Sequence, residues 1–294
     1  MKDINSMRTV IVHYHLFKNA GTTVDSILER NFTGDQHGHV EGPLPWSTLQ
    51  PEQVLEFAAN NPSVRAISSH HARLPLPQHQ SIKFFPILFI RHPIDRFASV
   101  YEFERRQPED SMSPSVAIAR NGGIAEFARW VIGGDATAVC RNFHVIHLAN
   151  AQTDMRTARA THEDYENALA RLTALPFFGI VEEFDESLVR IKQQLTPHIG
   201  EIEIDHLNQN VTPGRHPTLS ERLNHIETHL GQALYRNLLE CNALDLLLYT
   251  QAKRMFAAAR ETASTTEDAR PMHNRFWDRL TRTFRGSSNT QTRA

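Results

Sequence analysis

Short apolar runs alternate with longer amphipathic stretches along the chain, and that alternation is the first guide to its architecture. Residues 9–17 (TVIVHYHLF) form a β-branched and aromatic run of the kind a buried strand makes. The run breaks at Lys18-Asn19-Ala20-Gly21, Thr22 or Thr23 offers an N-cap hydroxyl, and Val24, Ile27 and Leu28 follow at helical spacing. The predicted unit is strand, tight loop, helix. Residues 33–51, carrying Gly34, Gly38, Gly42, Pro43 and Pro45, read as loop. A helix over 51–60 and a second strand over 63–69, ending at His70-His71, come next. After the proline-rich stretch 74–77, a third strand over 84–90 ends at Arg91-His92-Pro93 and leads into a helix over 95–106.

Further along, 108–123 reads as a polar surface loop, and 124–132 and 139–149 as helices. A helix over 162–175 precedes a fourth strand at 177–181 and a helix at 184–195. Residues 202–211 suggest a last strand plus loop, and helices over 219–230 and 232–256 follow. Strands alternating with helices predict an α/β fold, a parallel sheet flanked by helices on both faces, with a helical C-terminal part. The expected organisation is a catalytic domain over 1–258, a flexible linker over 259–272 with the composition ETASTTEDARP at its centre, and a tail over 273–294.

Composition narrows the class. Apolar residues make up 40% of the chain, enough to bury a sizeable core and exclude wholesale disorder. Lys and Arg total 31 against 33 Asp and Glu, so no overall field draws the molecule to nucleic acid. Two cysteines, Cys140 and Cys241, are too few for a disulfide framework or a four-thiolate zinc site. No segment has the length of apolar sequence that a spanning helix needs, and no secretory signal opens the chain. A cytoplasmic protein is expected.

In an open parallel sheet, ligands bind beyond the carboxyl ends of the strands. Three predicted strands end there in polar groups: Lys18 with Gly21 to Thr23, His70 with His71, and Arg91. The first loop sets backbone N–H groups, two hydroxyls and a lysine at a helix N-terminus, a ready anion seat. It is not G-x-x-x-x-G-K-[ST], because the lysine precedes the glycine by three residues. His13 and His15 share one strand face without an evident third ligand, which favours packing or hydrogen bonding over a metal; His37-Gly38-His39 is read the same way. No metal site is expected.

The run HLFKNAGTT (residues 15–23) resembles the 5′-phosphosulfate loop of sulfotransferases that use 3′-phosphoadenosine-5′-phosphosulfate (PAPS). IRHPIDRFASVY (residues 90–101) resembles their 3′-phosphate segment. The stretch 178–188 (FGIVEEFDESL), the Asn210-Val211-Thr212-Pro213 turn and the Asp245-to-Tyr249 helix also fit the heparan sulfate 2-O-sulfotransferase-like branch and its bacterial relatives. The resemblance spans roughly residues 9–256. It implies a P-loop-NTPase-like fold and sulfuryl transfer from PAPS to a hydroxyl of a carbohydrate or glycoconjugate. The donor would be held by Lys18, Asn19, Ala20, Gly21, Thr22, Thr23, Arg91 and Ser99, without a metal. The family places a histidine after the second strand, so His70 is the expected base, with His71 as competitor. Phe17 and Asn19 stand where the family pattern has proline and threonine, which weakens the case for Asn19 as a ligand.

Each of these residues also has a structural alternative. Arg91 could serve only to pair with Asp95 or Asp185, Ser99 only a helix surface, and either histidine only a hydrogen bond. A nucleotide-dependent kinase on a related fold and a non-catalytic nucleotide-binding module are the competing functions. The tail (NRFWDRLTRTFRG, 274–286) can place Phe276, Trp277, Leu280 and Phe284 on one helical face flanked by arginines, a pattern suited to peripheral contact with the inner membrane.

Overall fold

The computed structural model describes residues 7–111, 113–134, 138–152, 154, 157–205 and 216–268, with 261–268 as backbone alone. Its elements in order are β1 (Arg8–Tyr14), α1 (Gly21–Asn31), β2 (His37–His39), α2 (Pro51–Asn60), β3 (Ala66–Ser69), β4 (Ile82–Ile90), α3 (Pro93–Arg105), α4 (Pro114–Asn121) and α5 (Gly123–Gly133). Then come α6 (Phe143–Ala149), α7 (His162–Ala174), β5 (Gly179–Ile180), α8 (Phe184–Ile199), α9 (Leu219–Leu230), α10 (Gln232–Glu240) and α11 (Ala243–Asp268). The chain divides into two units, Met1–Ala252, which holds the whole sheet, and Lys253–Ala294, whose described part is the remainder of α11.

The five strands pair in the order β2-β3-β1-β4-β5, every pair parallel. Ile11, Ala66, Phe85, Ile87 and Phe89 pack one face of the sheet against Val24, Ile27 and Leu28 of α1 and Leu188, Ile191 and Leu195 of α8. Val10, Val12, Tyr14, Leu88 and Ile90 alternate with them and are just as buried on the other face. Burial on both sides is why β1 and β4 read as nearly unbroken apolar runs. A second cluster joins Ile94, Phe97 and Val100 of α3 to Phe127 and Val131 of α5, Ile226 of α9 and Leu238 of α10. Register fixes what the strands deliver: Tyr14 lies beside both Ser69 and Leu88. His15 and His70 therefore emerge side by side at the carboxyl edge, with Arg91 on the opposite flank of β1.

Several expectations need correction. The 33–51 loop contains β2, whose His-Gly-His sequence has no apolar signal and which is a strand only because it pairs with β3. The 108–123 loop contains α4, which opens with Pro114 at its first turn, a standard helix start. The predicted helix over 139–149 is divided by Asn142, left-handed at φ 45°, into a 3-10 turn and α6. The one predicted over 232–256 is broken at Cys241-Asn242 into α10 and α11. Residues 202–205 form no strand, and 206–211 lie outside the described residues. Helix α1 is capped by Ala20 and not by a threonine hydroxyl. Helix α11 runs on to Asp268, through the first part of the stretch with linker composition; the amphipathic tail lies outside the described residues. No helix among the described residues is long and apolar enough to cross a membrane.

One buried carboxylate ties α11 to α6. Asp245, at the start of α11, accepts the His144 N–H at 3.1 Å, the Val145 N–H at 2.9 Å and the His144 ring Nδ1–H at 2.9 Å. Burial alone would raise its pKa, but His144 and the Val145 N–H hold it below the ordinary value. Asp245→Ala would orphan two buried N–H groups at the head of α6 and is expected to cost on the order of 3 kcal/mol, read as a lower urea midpoint.

Candidate active site

The loop after β1 is bent by two left-handed residues, Lys18 and Ala20, each at φ 63°. Neither is glycine, so each conformation costs on the order of 1–3 kcal/mol and must be held by its surroundings. Arg91 Nη1 donates to the Lys18 carbonyl at 2.7 Å, and Arg96 Nη1 reaches the Phe17 carbonyl at 3.4 Å. Arg96 itself is buried, lies 4.2 Å over the Phe143 ring and donates to Val139 O. Asn19 turns inward: its amide donates to Phe89 O at 2.6 Å and to His144 Nε2 at 2.8 Å, and its backbone N–H donates to Leu16 O. Asn19 is thus an internal anchor of the loop, linked through His144 to Asp245, and does not face the cleft. The loop leaves the N–H groups of Ala20, Gly21 and Thr22 without acceptors among the described residues, at the head of an 11-residue helix.

Those donors open into a cleft of about 1160 Å³. Lys18, Ala20, Gly21, Thr22 and Thr23 line it from the first loop, His70 from the end of β3, and Arg91 and Ser99 from the end of β4 and from α3. Lys18 Nζ lies 4.9 Å from the centre of the Phe103 ring. Burial, with Arg91 and Arg106 nearby, lowers its pKa. Arg91 is buried; its Nε donates to Asp95 Oδ2 at 2.9 Å, and its Nη2 forms an ion pair with the same oxygen at 2.8 Å. Asp95 Oδ1 takes Arg222 Nε at 2.7 Å. One carboxylate thus holds two guanidiniums at the cleft wall, while Arg105 and Arg106 share Glu102 at the rim.

At the end of β3, His70 and His71 part ways. His71 is buried, does not line the cleft, and has both ring nitrogens engaged: Nδ1 accepts the Gly42 N–H at 2.8 Å and Nε2 donates to Pro45 O at 3.2 Å. His70, with 49% of its side chain exposed, lines the cleft. Its Nδ1 donates to Glu41 Oε1 at 2.9 Å, and its backbone N–H reaches the same oxygen at 2.8 Å. Burial would raise the Glu41 carboxyl, yet the hydrogen bonds and charge from His70, with His71, hold it below its ordinary value.

The His70 ring stacks on His15, with centres 3.9 Å apart and planes 26° from parallel. The second support of His15 is Asp25, whose Oδ2 accepts its Nδ1 at 2.8 Å while Oδ1 accepts His13 Nδ1 at 2.7 Å. A Cβ at Gly21 would sit 2.0 Å from the His15 ring, so the glycine is required by this contact. Sequence reasoning placed His13 and His15 on one face and favoured hydrogen bonding, but did not find Asp25. It also missed Glu41, Arg222 and the His15–His70 stack. The stack alone had a signal, since two adjacent parallel strands each end in histidine.

Residues 4–250 match the model of the sulfotransferase family, and the chain belongs to that family. The five-stranded parallel sheet with its central strand–loop–helix unit is the P-loop-NTPase-like architecture expected of it. The sequence is also 36% identical over 255 residues to an uncharacterised protein of Archaeoglobus fulgidus, covering 85% of this chain and 98% of that one. Membership supports sulfuryl transfer as the general chemistry.

Two histidines near the cleft make stability depend on pH. Burial lowers His13 to about 4, only partly opposed by Asp25, and burial likewise brings His92 to about 4, partly opposed by Asp95. Both are neutral when folded, whereas the unfolded chain takes up a proton on each near the ordinary value of 6.5. Protons therefore favour unfolding, and stability is expected to fall from about pH 6.5 towards pH 4. Urea midpoints at several pH values check this, and His92→Asn should give a shallower slope.

Proposed function

We propose that the protein transfers a sulfuryl group from PAPS to a hydroxyl of a carbohydrate or glycoconjugate, with His70 as general base. The observation that carries this reading is the convergence of Lys18, Arg91 and His70, from the ends of three neighbouring strands, on one cleft. The residues suit a doubly phosphorylated donor. Lys18 and the N–H groups of Ala20, Gly21 and Thr22, which have no acceptor among the described residues, form one anion seat; Arg91 and Ser99, eight positions apart, form another. Like charges packed around Lys18 repel one another until an anion lies between them, which favours a ligand of several negative charges.

PAPS supplies the sulfuryl group on a phosphate leaving group. The acceptor oxygen forms a bond to sulfur as the bond from sulfur to the 5′-phosphate oxygen breaks, and the hydroxyl proton passes to His70 Nε2. The products are a sulfate ester and adenosine 3′,5′-bisphosphate. Glu41 fixes the Nδ1–H tautomer, so Nε2 is the nitrogen left to receive the proton, and the carboxylate stabilises the imidazolium that forms. Lys18 and the loop N–H groups stabilise charge that grows on the leaving phosphate, an interaction stronger in the transition state than before it. His71, whose ring nitrogens are engaged, is a structural residue in this reading.

Transfer of radiolabelled sulfate from PAPS to glycans of a cell extract tests it, together with thermal shift by adenosine 3′,5′-bisphosphate. His70→Ala should lower turnover by roughly 10²–10⁴-fold and leave the bisphosphate shift intact. Lys18→Ala should reduce both. Turnover retained in His70→Ala but lost in a folded His71→Ala would overturn the assignment of the base. A shift by ATP with magnesium and none by the bisphosphate would overturn the donor.

A further inference from the structure

The correction of residues 37–39 from loop to strand changes what their histidines can do. In a strand, alternate side chains leave opposite faces. Gly38 faces α2, since a Cβ there would meet the Phe57 ring at 2.8 Å. His37 and His39 therefore leave the other face, with ring centres 4.7 Å apart. Glu29 meets them from α1, one helical turn beyond Asp25, and its Oε1 lies 3.8 Å from His39 Nε2. We propose that Glu29, His37 and His39 form a binding site for a divalent first-row transition metal ion, with zinc as the reference case.

The ligand set and its geometry suit such an ion. One ligand atom from each of the three residues lies within 4.8 Å of the other two. Tetrahedral zinc at about 2.1 Å from each ligand brings them to about 3.4 Å from one another, a closure that exposed side chains make by small torsional changes. Two imidazoles and a carboxylate are the donors zinc, nickel and copper take, whereas magnesium and calcium prefer oxygen alone. His37 Nε2 is held by the Ser68 hydroxyl at 3.0 Å, which leaves Nδ1 for the metal and orients the ring from behind. The side chains of His39 and Glu29 are more than half exposed, which provides an entry path and an open position for water.

A second group of metal-ligand types, His13, His15 and Asp25, does not compete on these grounds. Each carboxylate oxygen of Asp25 already accepts one ring N–H, His13 is 2% exposed, and the group supports His70. The outer group touches the inner one only through Ser68, whose hydroxyl lies 3.0 Å from His37 Nε2 and 3.3 Å from His13 Nδ1. An ion there would cross-link β2, the edge strand of the sheet, to α1, and stiffen an edge built from only three residues.

Calorimetric titration of the full chain, stripped with chelator, with zinc chloride at neutral pH tests the proposal. The expected result is one ion per chain with a dissociation constant in the micromolar range or below, weakened at least about tenfold in each of His37→Gln, His39→Gln and Glu29→Gln. Cobalt, used as a spectroscopic substitute, should give visible d–d absorption that is lost in His39→Gln. All three positions lie outside the cleft, so the thermal shift by adenosine 3′,5′-bisphosphate should be unchanged and reports that each variant is folded. With 17 histidines in the chain, weak scattered binding is expected in any case, and the variants decide. No specific heat with the native chain, or a loss smaller than tenfold in His39→Gln, overturns the site.

Discussion

The cleft depends on holding the backbone of residues 17–20 in a path it would not choose. Lys18 and Ala20 are left-handed without a glycine's freedom. What keeps them so is polar and comes from elements far away in sequence: Arg91 on the Lys18 carbonyl, Arg96 on the Phe17 carbonyl, and the Asn19 amide on Phe89 and His144. Asp245 then fixes His144 from below. The anion seat proposed at the head of α1 is thus pre-formed by its neighbours, of which Arg91 alone also lines the cleft, and little free-energy cost of shaping it remains to be met when an anion arrives.

Charge at the cleft follows the same economy. Arg91 and Arg222 share Asp95, so two guanidiniums are kept in place with less than full neutralisation. Lys18 sits beside them with an aromatic ring and no carboxylate among its described partners. The wall therefore carries excess positive charge although the chain as a whole carries a formal charge of -2. Net charge, read from composition, says nothing about a field confined to one sheet edge.

What the sequence disclosed and what it hid divide along physical lines. The strand cores of β1, β3 and β4 were legible because burial on both faces leaves a compact apolar run. Helices α2 and α9 were legible in their bounds, the first through Pro51 at its start and the second through the Thr218–Glu221 capping box. Strand β2 was not, because its three residues carry no apolar signal and the pairing that makes them a strand is with β3, about thirty positions on. The chemistry-bearing ends of β1, β3 and β4 could be named in advance. Of their partners, Asp95 was offered by the sequence as a mate for Arg91, but Glu41 lies in a segment rich in glycine and proline, and Arg222 meets Asp95 across 127 positions. Asn19 failed as a cleft residue because a short polar side chain beside a left-handed turn can face either way, and the sheet offered it a buried carbonyl.

Gly21 shows how the two halves of the site are joined. Read from sequence, a glycine at this point allows close approach of an anion to the backbone. In the fold, the space a Cβ would need is taken by the ring of His15, which is itself stacked on His70. His15 is in turn oriented by Asp25, a residue of the same helix whose first turn forms the anion seat. The loop proposed to grip the donor and the histidine proposed to accept the proton therefore both pack against one aromatic ring. A displacement of the loop by even part of an ångström must move His15, and through it His70, because close-packed groups transmit strain instead of absorbing it. The proposed donor seat and the proposed base are thus mechanically coupled, through the pairing of Tyr14 with Ser69 that brings the two histidines to the same edge.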